Sequence, residues 1–367
     1  MDLRKCISPK RGFQSSVNIA YDLHRDDKIE DFIPTQASLE VLEEFLLGTA
    51  VSATERARIL IGAYGKGKSH LILVLLAILQ KKDAEVLKRI LEALKVYKPA
   101  LYHYVLDEIL ADDKKPFLPI IIDGSNSSIV QSFLWALHDT LDRANLADLM
   151  PSTHYQAALR RIESWKRDYK ETYIAFTNML HEPVREFVSK LSNYDTESYA
   201  VFEKLYPKLT AGSEFNPFLG VNIVDLYGRV NDIVCEKGYR GIYVVYDEFS
   251  KYMEANISSA SVSDTRMLQD FAEKCARSGQ KQMHLLLIAH KDIANYIDEL
   301  PKDKVDGWKG VSERFKHMEV RNNFTQLYEI IGRVIEKKPR LFKTLQNENK
   351  CNFANLALSV KQYHIFD

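Results

Sequence analysis

Residues 62–69 carry glycines, a lysine and a serine at a spacing suited to holding phosphate; they read Gly-Ala-Tyr-Gly-Lys-Gly-Lys-Ser. The segment matches the phosphate-loop pattern G-x-x-x-x-G-K-[ST] at every fixed position. In that pattern the glycines let backbone N–H groups close around phosphate oxygens, Lys68 reaches the β- and γ-phosphates, and the Ser69 hydroxyl ligates Mg²⁺. The sequence therefore predicts a nucleoside triphosphate site formed by Gly62, Ala63, Tyr64, Gly65, Lys66, Gly67, Lys68, Ser69 and His70.

Two adjacent carboxylates form a second candidate group. Asp247 and Glu248 directly follow the apolar residues Tyr243–Tyr246. At the end of a strand, the first carboxylate is placed near Mg²⁺, and the second can polarise the water that attacks the γ-phosphate. An Asp-Glu pair by itself is more often a solvated turn, but the intact phosphate loop on an earlier strand favours the catalytic interpretation. The glutamate also favours hydrolysis over transfer to an acceptor.

Two further residues each have two interpretations. His290 follows an apolar segment and is either a polar group near the γ-phosphate or a plain strand-end histidine. Arg314 is either a guanidinium that reaches a γ-phosphate on a neighbouring subunit or a surface arginine paired with Glu313. The residues after His290 resemble the guanine-reading pattern N-K-x-D but lack its asparagine and place Asp292 one position early, which argues against a GTPase.

The elements that must position these residues are apolar segments followed by helical sequence. Near-continuous apolar segments are typical of strands buried on both faces of a parallel sheet. The strand candidates are Ile59–Ile61, Phe117–Asp123, Ile242–Glu248, His284–His290 and the more polar Lys316–Val320. Helical periodicity lies between them, and Pro34–Ser38 supplies capping residues for a helix that runs to about Leu47. We therefore predict an α/β fold with a doubly wound, mainly parallel five-stranded sheet.

The region from Asp142 to Lys237 does not alternate between strand and helix and is predicted to be a largely helical insertion. After the fifth strand, Thr325–Lys337 is predicted to be one helix with Arg333 on it, within a short helical C-terminal extension. The predicted segments are 1–56, an N-terminal segment and helix; 57–141, the first part of the phosphate-loop core; 142–240, the insertion; 241–322, the second part of the core; and 323–367, a partial helical lid.

The charge balance, the cysteine spacing and the length of the apolar runs indicate which partners and which cellular compartment to expect. The 367 residues contain 50 Lys plus Arg and 50 Asp plus Glu, so the whole chain has no long-range attraction for nucleic acid. The four cysteines are far apart and form no C-x-x-C pair, which indicates reduced thiols in a cytosolic protein. Because the longest apolar run, Leu71–Leu79, is less than half a membrane span, we expect a cytoplasmic protein that does not contact a membrane.

One local stretch mixes basic and aromatic residues. Within Tyr155–Lys170, five basic residues stand against Glu163 and Asp168, and Trp165 and Tyr169 lie among them. Such a mixture is compatible with nucleic-acid contact, although a solvated helix face is the commoner explanation.

Together these segments resemble P-loop ATPases of the AAA+/ORC-like and STAND-like group. More closely, they resemble large bacterial ATP-binding proteins of anti-phage defence islands, including the BREX-type ATPase. The resemblance covers most of Val17–Val320 apart from the helical insertion. The matching stretches are Val17–Asp22, Phe32–Thr35, Ala63–His70, Asp247–Lys251, Leu268–Glu273, Ile288–Lys291 and Glu313–Lys316.

The resemblance implies ATP and Mg²⁺ as ligands, a central phosphate-loop strand with the Asp-Glu strand two positions away, and packing of Phe32–Thr35 near the adenine. It also implies homo-oligomers and partner proteins of a defence system, often beside nucleic acid. The chain departs from the family in its lid, which is too short after Val320, so no residue, Arg333 included, is assigned as a second sensing arginine.

The leading functional hypothesis is an ATPase that couples hydrolysis to remodelling of a protein or nucleic-acid assembly. In it Lys68, Glu248, Arg314 and His290 serve the chemistry, and Ser69 and Asp247 hold Mg²⁺. The alternative is a nucleotide-gated, STAND-like switch or scaffold with slow or no turnover. A small-molecule kinase fits less well, because nothing outside the nucleotide motifs indicates an acceptor pocket.

Overall fold

The chain divides into two compact units in a computed structural model. The model describes residues 3–9, 17–123, 128–146, 151–193, 195–213, 215, 222–257, 261–297, 300–320, 330–332 and 334–362. One unit consists of Met1–Gly124 and Gly238–Asp367, and the other of Ser125–Lys237. The segment boundaries predicted from the sequence, including 142–240 for the insertion, remain predictions.

Strands occur only in the first unit among the described residues. They are, in chain order, β1 Ile7–Pro9, β2 Ala57–Ile61, β3 Phe117–Asp123, β4 Gly241–Asp247, β5 Gln282–Ala289, β6 Lys316–Glu319 and β7 Ile335–Lys337.

Helices account for most of the remaining described chain. In chain order they are α1 Leu3–Cys6, α2 Ile19–Asp22, α3 Asp26–Glu30, α4 Gln36–Leu47, α5 Lys68–Leu79, α6 Ala84–Tyr97, α7 Pro99–Tyr104, α8 Ile129–Arg143, α9 Pro151–Asp168, α10 Lys170–Met179, α11 Val184–Ser192, α12 Thr196–Leu209, α13 Ile223–Glu236, α14 Phe249–Asn256, α15 Val262–Ala276, α16 Ala294–Ile297, α17 Lys302–Ser312, α18 Pro339–Glu348 and α19 Lys350–Gln362. A π-helical turn, Val105–Leu110, follows α7.

The main sheet has five parallel strands in the order β3-β4-β5-β2-β6. The prediction of an α/β fold with a five-stranded parallel sheet is therefore confirmed. Every residue of β4 and β5 is buried, as their continuous apolar sequence predicts for strands covered on both faces. Because the strands are parallel, their carboxyl ends meet at one edge, where Asp123 pairs in register with Asp247 and Ile61 with Ala289.

Helix α5 anchors the first unit because it is apolar almost all round. Its residues from Leu71 to Leu79 are all buried and join a hydrophobic core with α2, α3, α4 and α6. A helix without a polar face is stable only when it is surrounded by protein. Helix α4 begins where the capping residues predicted, since the Thr35 side chain accepts a hydrogen bond from the Ser38 N–H.

At the opposite edge of the sheet, arginines at or next to the starts of strands bind main-chain carbonyls. Arg58 Nη1 donates to Glu44 O (2.9 Å) in the last turn of α4, and Arg56 Nη2 donates to Val51 O (3.0 Å). Arg240 Nη2 donates to Thr49 O (2.6 Å). A guanidinium beside the C-terminus of a helix also complements the helix dipole. These contacts hold the connection from α4 to β2 in place.

One secondary-structure prediction is wrong. Ile335–Lys337, expected to end a helix that begins at Thr325, forms strand β7 antiparallel to β1. The partner strand comes from the opposite end of the chain, which local periodicity does not reveal. A helix is also disfavoured just before Pro339 by the proline ring. Residues 321–329 and Arg333 lie outside the described residues.

The second unit is a group of helices around an aromatic core. Trp165 stacks on Tyr206, with 5.6 Å between ring centroids, and Phe176 and Phe202 pack beside them. Within the described residues of the chain, no helix has both the length and the apolar character needed to cross a membrane.

We expect Gly241→Ala to destabilise the main sheet. A Cβ at Gly241 would overlap the carbonyl oxygen of Gln282 on the neighbouring strand, and neither backbone can yield without breaking the ladder. The free energy of unfolding should fall by about 1–3 kcal/mol or more in urea denaturation followed by circular dichroism. Gly332→Ala is the matched control, because nothing lies within 4 Å of its added Cβ. Equal stability of the two variants would contradict the close approach of β4 and β5.

Candidate active site

The glycine-rich loop lies between β2 and α5 at the carboxyl edge of the sheet. Gly65 and Gly67 both have a φ of 73°, in the left-handed region that glycine adopts without strain, and Gly67 caps α5. Nothing lies within 4 Å of a Cβ added at either position, and residues 63–67 are exposed. The loop therefore surrounds open space in front of the N-terminus of α5, where free N–H groups and the helix dipole favour an anion.

The Lys68 side chain turns back towards the loop and is almost completely buried, with 6% of the residue exposed. Its ammonium donates to Gly62 O and to Ala63 O (3.0 Å) and lies 3.3 Å from Nδ1 of His290. Burial lowers the pKa of Lys68 from its usual value, and the negative charge of Asp247 partly opposes that shift. Lys68 is thus placed where its ammonium can exchange loop carbonyls for phosphate oxygens.

His290 lies directly beyond β5 and contacts both the lysine and the loop. Its N–H donates to Ser250 Oγ (2.6 Å) on α14, and its ring stacks on Tyr64 with 3.4 Å between centroids. Burial and the charge of Lys68 lower the pKa of His290, which favours the neutral ring. A hydrogen bond between the ring and the Gly62 backbone partly opposes this lowering. Nε2 is buried and has no hydrogen-bond partner among the described residues.

Asp247 ends β4 as a buried carboxylate, 9% exposed. It accepts a hydrogen bond from the Glu248 N–H (3.0 Å) and one from the Ile19 backbone. Burial raises the pKa of Asp247 to about 6, and the charges of Glu248 and Asp123 add to the rise. A divalent cation would favour the ionised form, because an opposite charge offsets the cost of desolvation.

Glu248 begins α14 in a left-handed backbone conformation, with φ 54° and ψ 36°. A residue other than glycine rarely adopts this region, and such conformations concentrate at functional sites. The Glu248 carboxylate forms an ion pair with the ammonium of Lys251 one helical turn later, and its side chain is 38% exposed. The strained turn thus directs a carboxylate away from the core at the end of β4.

Asp123 is a further acidic residue that we did not single out in the sequence. It ends β3 directly beside Asp247, and its charge acts on both Asp247 and Lys251. Both aspartates follow an apolar strand, and this shared position in the pattern is the signal that could have identified Asp123.

The segment that precedes β2 packs on the first turn of α5. Nε2 of His70 lies 2.6 Å from the Lys28 carbonyl, and Phe32 contacts the His70 ring edge-on at 5.0 Å. Burial lowers the pKa of His70. Thr35 is 2% exposed. The stretch Phe32–Thr35, which the resemblance places near the adenine, therefore adjoins the helix that begins at Lys68.

Ser69 and Arg314 complete the set of candidate residues. Ser69 is half-buried, directly after Lys68 in the first turn of α5. Arg314 lies in the turn between α17 and β6, where Nε donates to Glu273 Oε1 (3.0 Å) and Nη1 to Gly310 O (2.8 Å). The described contacts of Arg314 are thus with α15 and α17. Its carboxylate partner is Glu273, whereas the surface interpretation of the sequence expected Glu313.

The basic stretch of the second unit is less suited to base stacking than its sequence indicates. Trp165 is 4% exposed because it belongs to the aromatic core, whereas Tyr169 is 59% exposed. Arg167 donates to its neighbour Asp168 (2.9 Å), and Arg161 lies over the ring of Tyr206 at 5.9 Å. Of the three aromatic residues in Tyr155–Lys170, Tyr155 and Trp165 are buried and only Tyr169 reaches the surface.

Metal ligation would depend on few protein atoms. Within the described parts of the chain, no group of three or more His, Cys, Asp or Glu residues is arranged to hold a metal ion. Mg²⁺ commonly takes one or two protein oxygens and completes its shell with water and substrate phosphates, so Ser69 and Asp247 are a sufficient set.

Comparison of the chain with protein-family models, with curated proteins and with solved structures found no match. Its function must therefore be argued from the geometry at the carboxyl edge of the sheet and from the motifs that occupy it.

We expect Asp247→Asn to stabilise the protein above pH 6. Because the pKa of Asp247 is raised to about 6 in the folded state, the ionised carboxylate opposes folding above that pH, and the penalty disappears as pH falls towards 4. The free energy of unfolding of Asp247→Asn should exceed that of the wild type by about 2–3 kcal/mol at pH 8 and by little at pH 4. Urea denaturation at both pH values measures the difference.

The control for this substitution is Asp270→Asn, which alters an exposed aspartate on α15. It should leave stability within about 0.5 kcal/mol of the wild type at both pH values. A destabilised Asp247→Asn protein at pH 8 would show that the carboxylate is held by favourable contacts that outweigh its burial.

Proposed function

We propose that the chain is a Mg²⁺-dependent ATPase that couples ATP hydrolysis to remodelling of a protein or nucleic-acid assembly. The observation that carries the proposal is the convergence of Lys68, Asp247 and His290 from three strands at one sheet edge. The Lys68 ammonium contacts His290 at 3.3 Å and is acted on by the charge of Asp247. Hydrolysis of a phosphoanhydride depends on groups that neutralise charge on the phosphates and position the reactants, and a cation, a carboxylate and a polar ring at one edge can supply them.

The residues present fit a triphosphate with its metal. The open loop with left-handed glycines provides backbone N–H groups for phosphate oxygens. His290 Nε2, a buried ring nitrogen with no hydrogen-bond partner among the described residues, supports the same conclusion because a buried polar atom is costly unless a ligand pairs with it. Mg²⁺, when bound, neutralises charge on the β- and γ-phosphates, and Ser69 and Asp247 are the residues that would hold it.

Each residue then has a distinct role. Lys68 replaces its contacts with Gly62 and Ala63 by contacts with phosphate oxygens and stays charged there, because an anion offsets the burial that lowers its pKa. His290 donates from Nε2 to the γ-phosphate. Glu248 accepts the proton of the attacking water once its carboxylate leaves the ammonium of Lys251.

The strand order supports placement in the AAA+/ORC-like group. Strand β2, which precedes the phosphate loop, lies between β5 and β6, and β4, which ends in Asp-Glu, lies two positions away. The resemblance predicts this arrangement. By the same analogy, we propose that the chain acts as a homo-oligomer in the bacterial cytoplasm and contributes to phage defence with partner proteins, beside nucleic acid. Arg314 would then act on ATP bound to a neighbouring copy.

The alternative is a nucleotide-gated switch with slow turnover. The ion pair between Glu248 and Lys251 favours it, because a carboxylate engaged by an ammonium is less free to accept a proton from water. In a switch, ATP binding alone would drive assembly, and hydrolysis would only reset it.

We expect Lys68→Ala to abolish or greatly weaken ATP binding, because the buried ammonium is the cation at the loop. Binding of a fluorescent ATP analogue measures the effect, with a fall in affinity of about 100-fold or more, the equivalent of a lost charge-assisted contact. Lys95→Ala is the control, since Lys95 is an exposed lysine on α6 outside the candidate site. Similar affinity for Lys68→Ala and Lys95→Ala would exclude the role of Lys68 in binding phosphate.

We expect Glu248→Gln to bind ATP normally and to lose hydrolysis, because the amide is isosteric but cannot accept the proton. Steady-state phosphate release, measured against protein concentration with and without duplex DNA, separates the two candidate functions. Specific activity that rises with concentration, responds to DNA and falls by about 100-fold or more in the variant supports the ATPase. Tight binding with negligible turnover in the wild type supports the switch, and equal turnover in both proteins would contradict the role of Glu248.

A further inference from the structure

A hydrogen-bonded network outside the nucleotide site joins Asp292, His317 and Ser312. Nδ1 of His317 lies 2.8 Å from Asp292 Oδ2, and Nε2 lies 3.0 Å from both the hydroxyl and the carbonyl oxygen of Ser312. The histidine side chain is 30% exposed and that of Asp292 is 35% exposed. No role in the proposed reaction accounts for these three residues.

The network lies across the phosphate-loop strand. His317 is on β6, in register with Ile59 of β2, and Asp292 follows β5, which flanks β2 on its other side. Asp292 is two residues after His290, and its other oxygen accepts from the Ala294 N–H (2.9 Å), which holds this loop in shape. His317 therefore links the two strands that flank the phosphate-loop strand through the loop that begins at His290.

The same histidine also closes the turn that carries Arg314. Ser312 ends α17 and His317 lies on β6, so their contact spans the short turn of residues 313–315. Arg314, in the middle of that turn, is 37% exposed and is held by Glu273, an ion pair exposed enough to exchange for another anion at little cost. The contact between Ser312 and His317 thus holds the two ends of the turn together, while the guanidinium of Arg314 remains able to leave Glu273.

Serine, histidine and aspartate in this order also build nucleophilic sites, but the surroundings of Ser312 do not suit one. A nucleophile needs N–H groups that stabilise the oxyanion. The N–H groups of the three following residues, 313, 314 and 315, already donate to the carbonyls of Lys309, Val311 and Ser312. Nε2 of His317 also faces a carbonyl as well as the hydroxyl. This geometry fits a brace between two segments better than a reactive serine.

We propose that His317 is a positioning residue that makes the His290 loop and the Arg314 turn move as one unit. The inference rests on the proposed function, in which His290 contacts the γ-phosphate of its own subunit and Arg314 that of a neighbouring copy. A shift of His290 on hydrolysis is then transmitted through Asp292 and His317 to Arg314. In this way the nucleotide state of one site controls the arginine presented to the next.

Mixed assemblies test the proposal, because they assign each defect to one subunit. Glu248→Gln subunits provide Arg314 but do not hydrolyse ATP, and Arg314→Ala subunits hydrolyse only when a neighbour provides the arginine. Mixing the two should restore phosphate release about tenfold or more above either protein alone, since such an arginine acts by stabilising transition-state charge. His317→Ala is then added only to the Glu248→Gln subunits.

We expect this donor substitution to reduce the restored kcat about tenfold while leaving the KM for ATP unchanged, because the hydrolysing subunits keep every ATP-binding residue. His181→Ala, an exposed histidine of the second unit, is the matched control and should leave the restored rate unchanged. Adding Asp292→Asn to the donor that already carries His317→Ala should cause no further loss, as expected for residues that act together. ATP binding and circular dichroism of each donor test whether it is folded. If the His317→Ala donor is not folded, a donor that carries Asp292→Asn in its place is used instead.

The outcomes separate this inference from the proposed function. An undiminished restored rate with a folded His317→Ala donor would overturn the inference and leave the ATPase intact. Failure of the mixture to restore activity, with an active wild type, would also overturn it, since Arg314 would not act between copies. A wild type that does not hydrolyse ATP would overturn the proposed function together with the inference that rests on it.

Discussion

The burial of the Lys68 ammonium constrains the structure around it, because the first unit must supply hydrogen-bond acceptors for this group. An ammonium taken out of water needs an acceptor for each of its hydrogens, and Lys68 obtains them from Gly62, Ala63 and His290. The first two come from its own loop, but His290 arrives only because β5 pairs with β2 and ends level with it. Helix α5, buried on all sides, holds the lysine at this point. The position of the Lys68 ammonium therefore depends on the order of the strands, because β5 must lie beside β2 for His290 to reach it.

Most of the central sheet could be predicted from the sequence. Strands β2 to β5 are short apolar segments bounded by polar residues, a pattern that depends only on local composition. Lys68 was identified from the phosphate-loop pattern, and Asp247 and His290 were identified because each follows such a segment. The convergence of three side chains at one edge then follows from parallel pairing, which the alternation of strands and helices indicates.

What could not be predicted depends on contacts between distant segments. Strand β7 needs β1 from the other end of the chain, so its local sequence, which suits a helix, was misleading. Arg314 lies beside Glu313 in sequence, yet its partner is Glu273, because α15 packs against α17 and brings the two side chains within 3.0 Å. Trp165 sits among basic residues but faces an aromatic core supplied by later helices. In each case the partner residue is distant in sequence, so a short local motif cannot identify it.

The two edges of the sheet differ in the chemistry that holds them. At the amino edge of the sheet, the guanidiniums of Arg56 and Arg58 bond to uncharged acceptors, namely main-chain carbonyls and the Ser278 hydroxyl. At the site edge, the carboxylate of Asp247, with its pKa near 6, changes charge in mild acid. Under the proposed function, protonation of Asp247 in mild acid would weaken Mg²⁺ binding without altering the groups that hold the opposite edge, so we expect the loss of hydrolysis to be reversed on neutralisation.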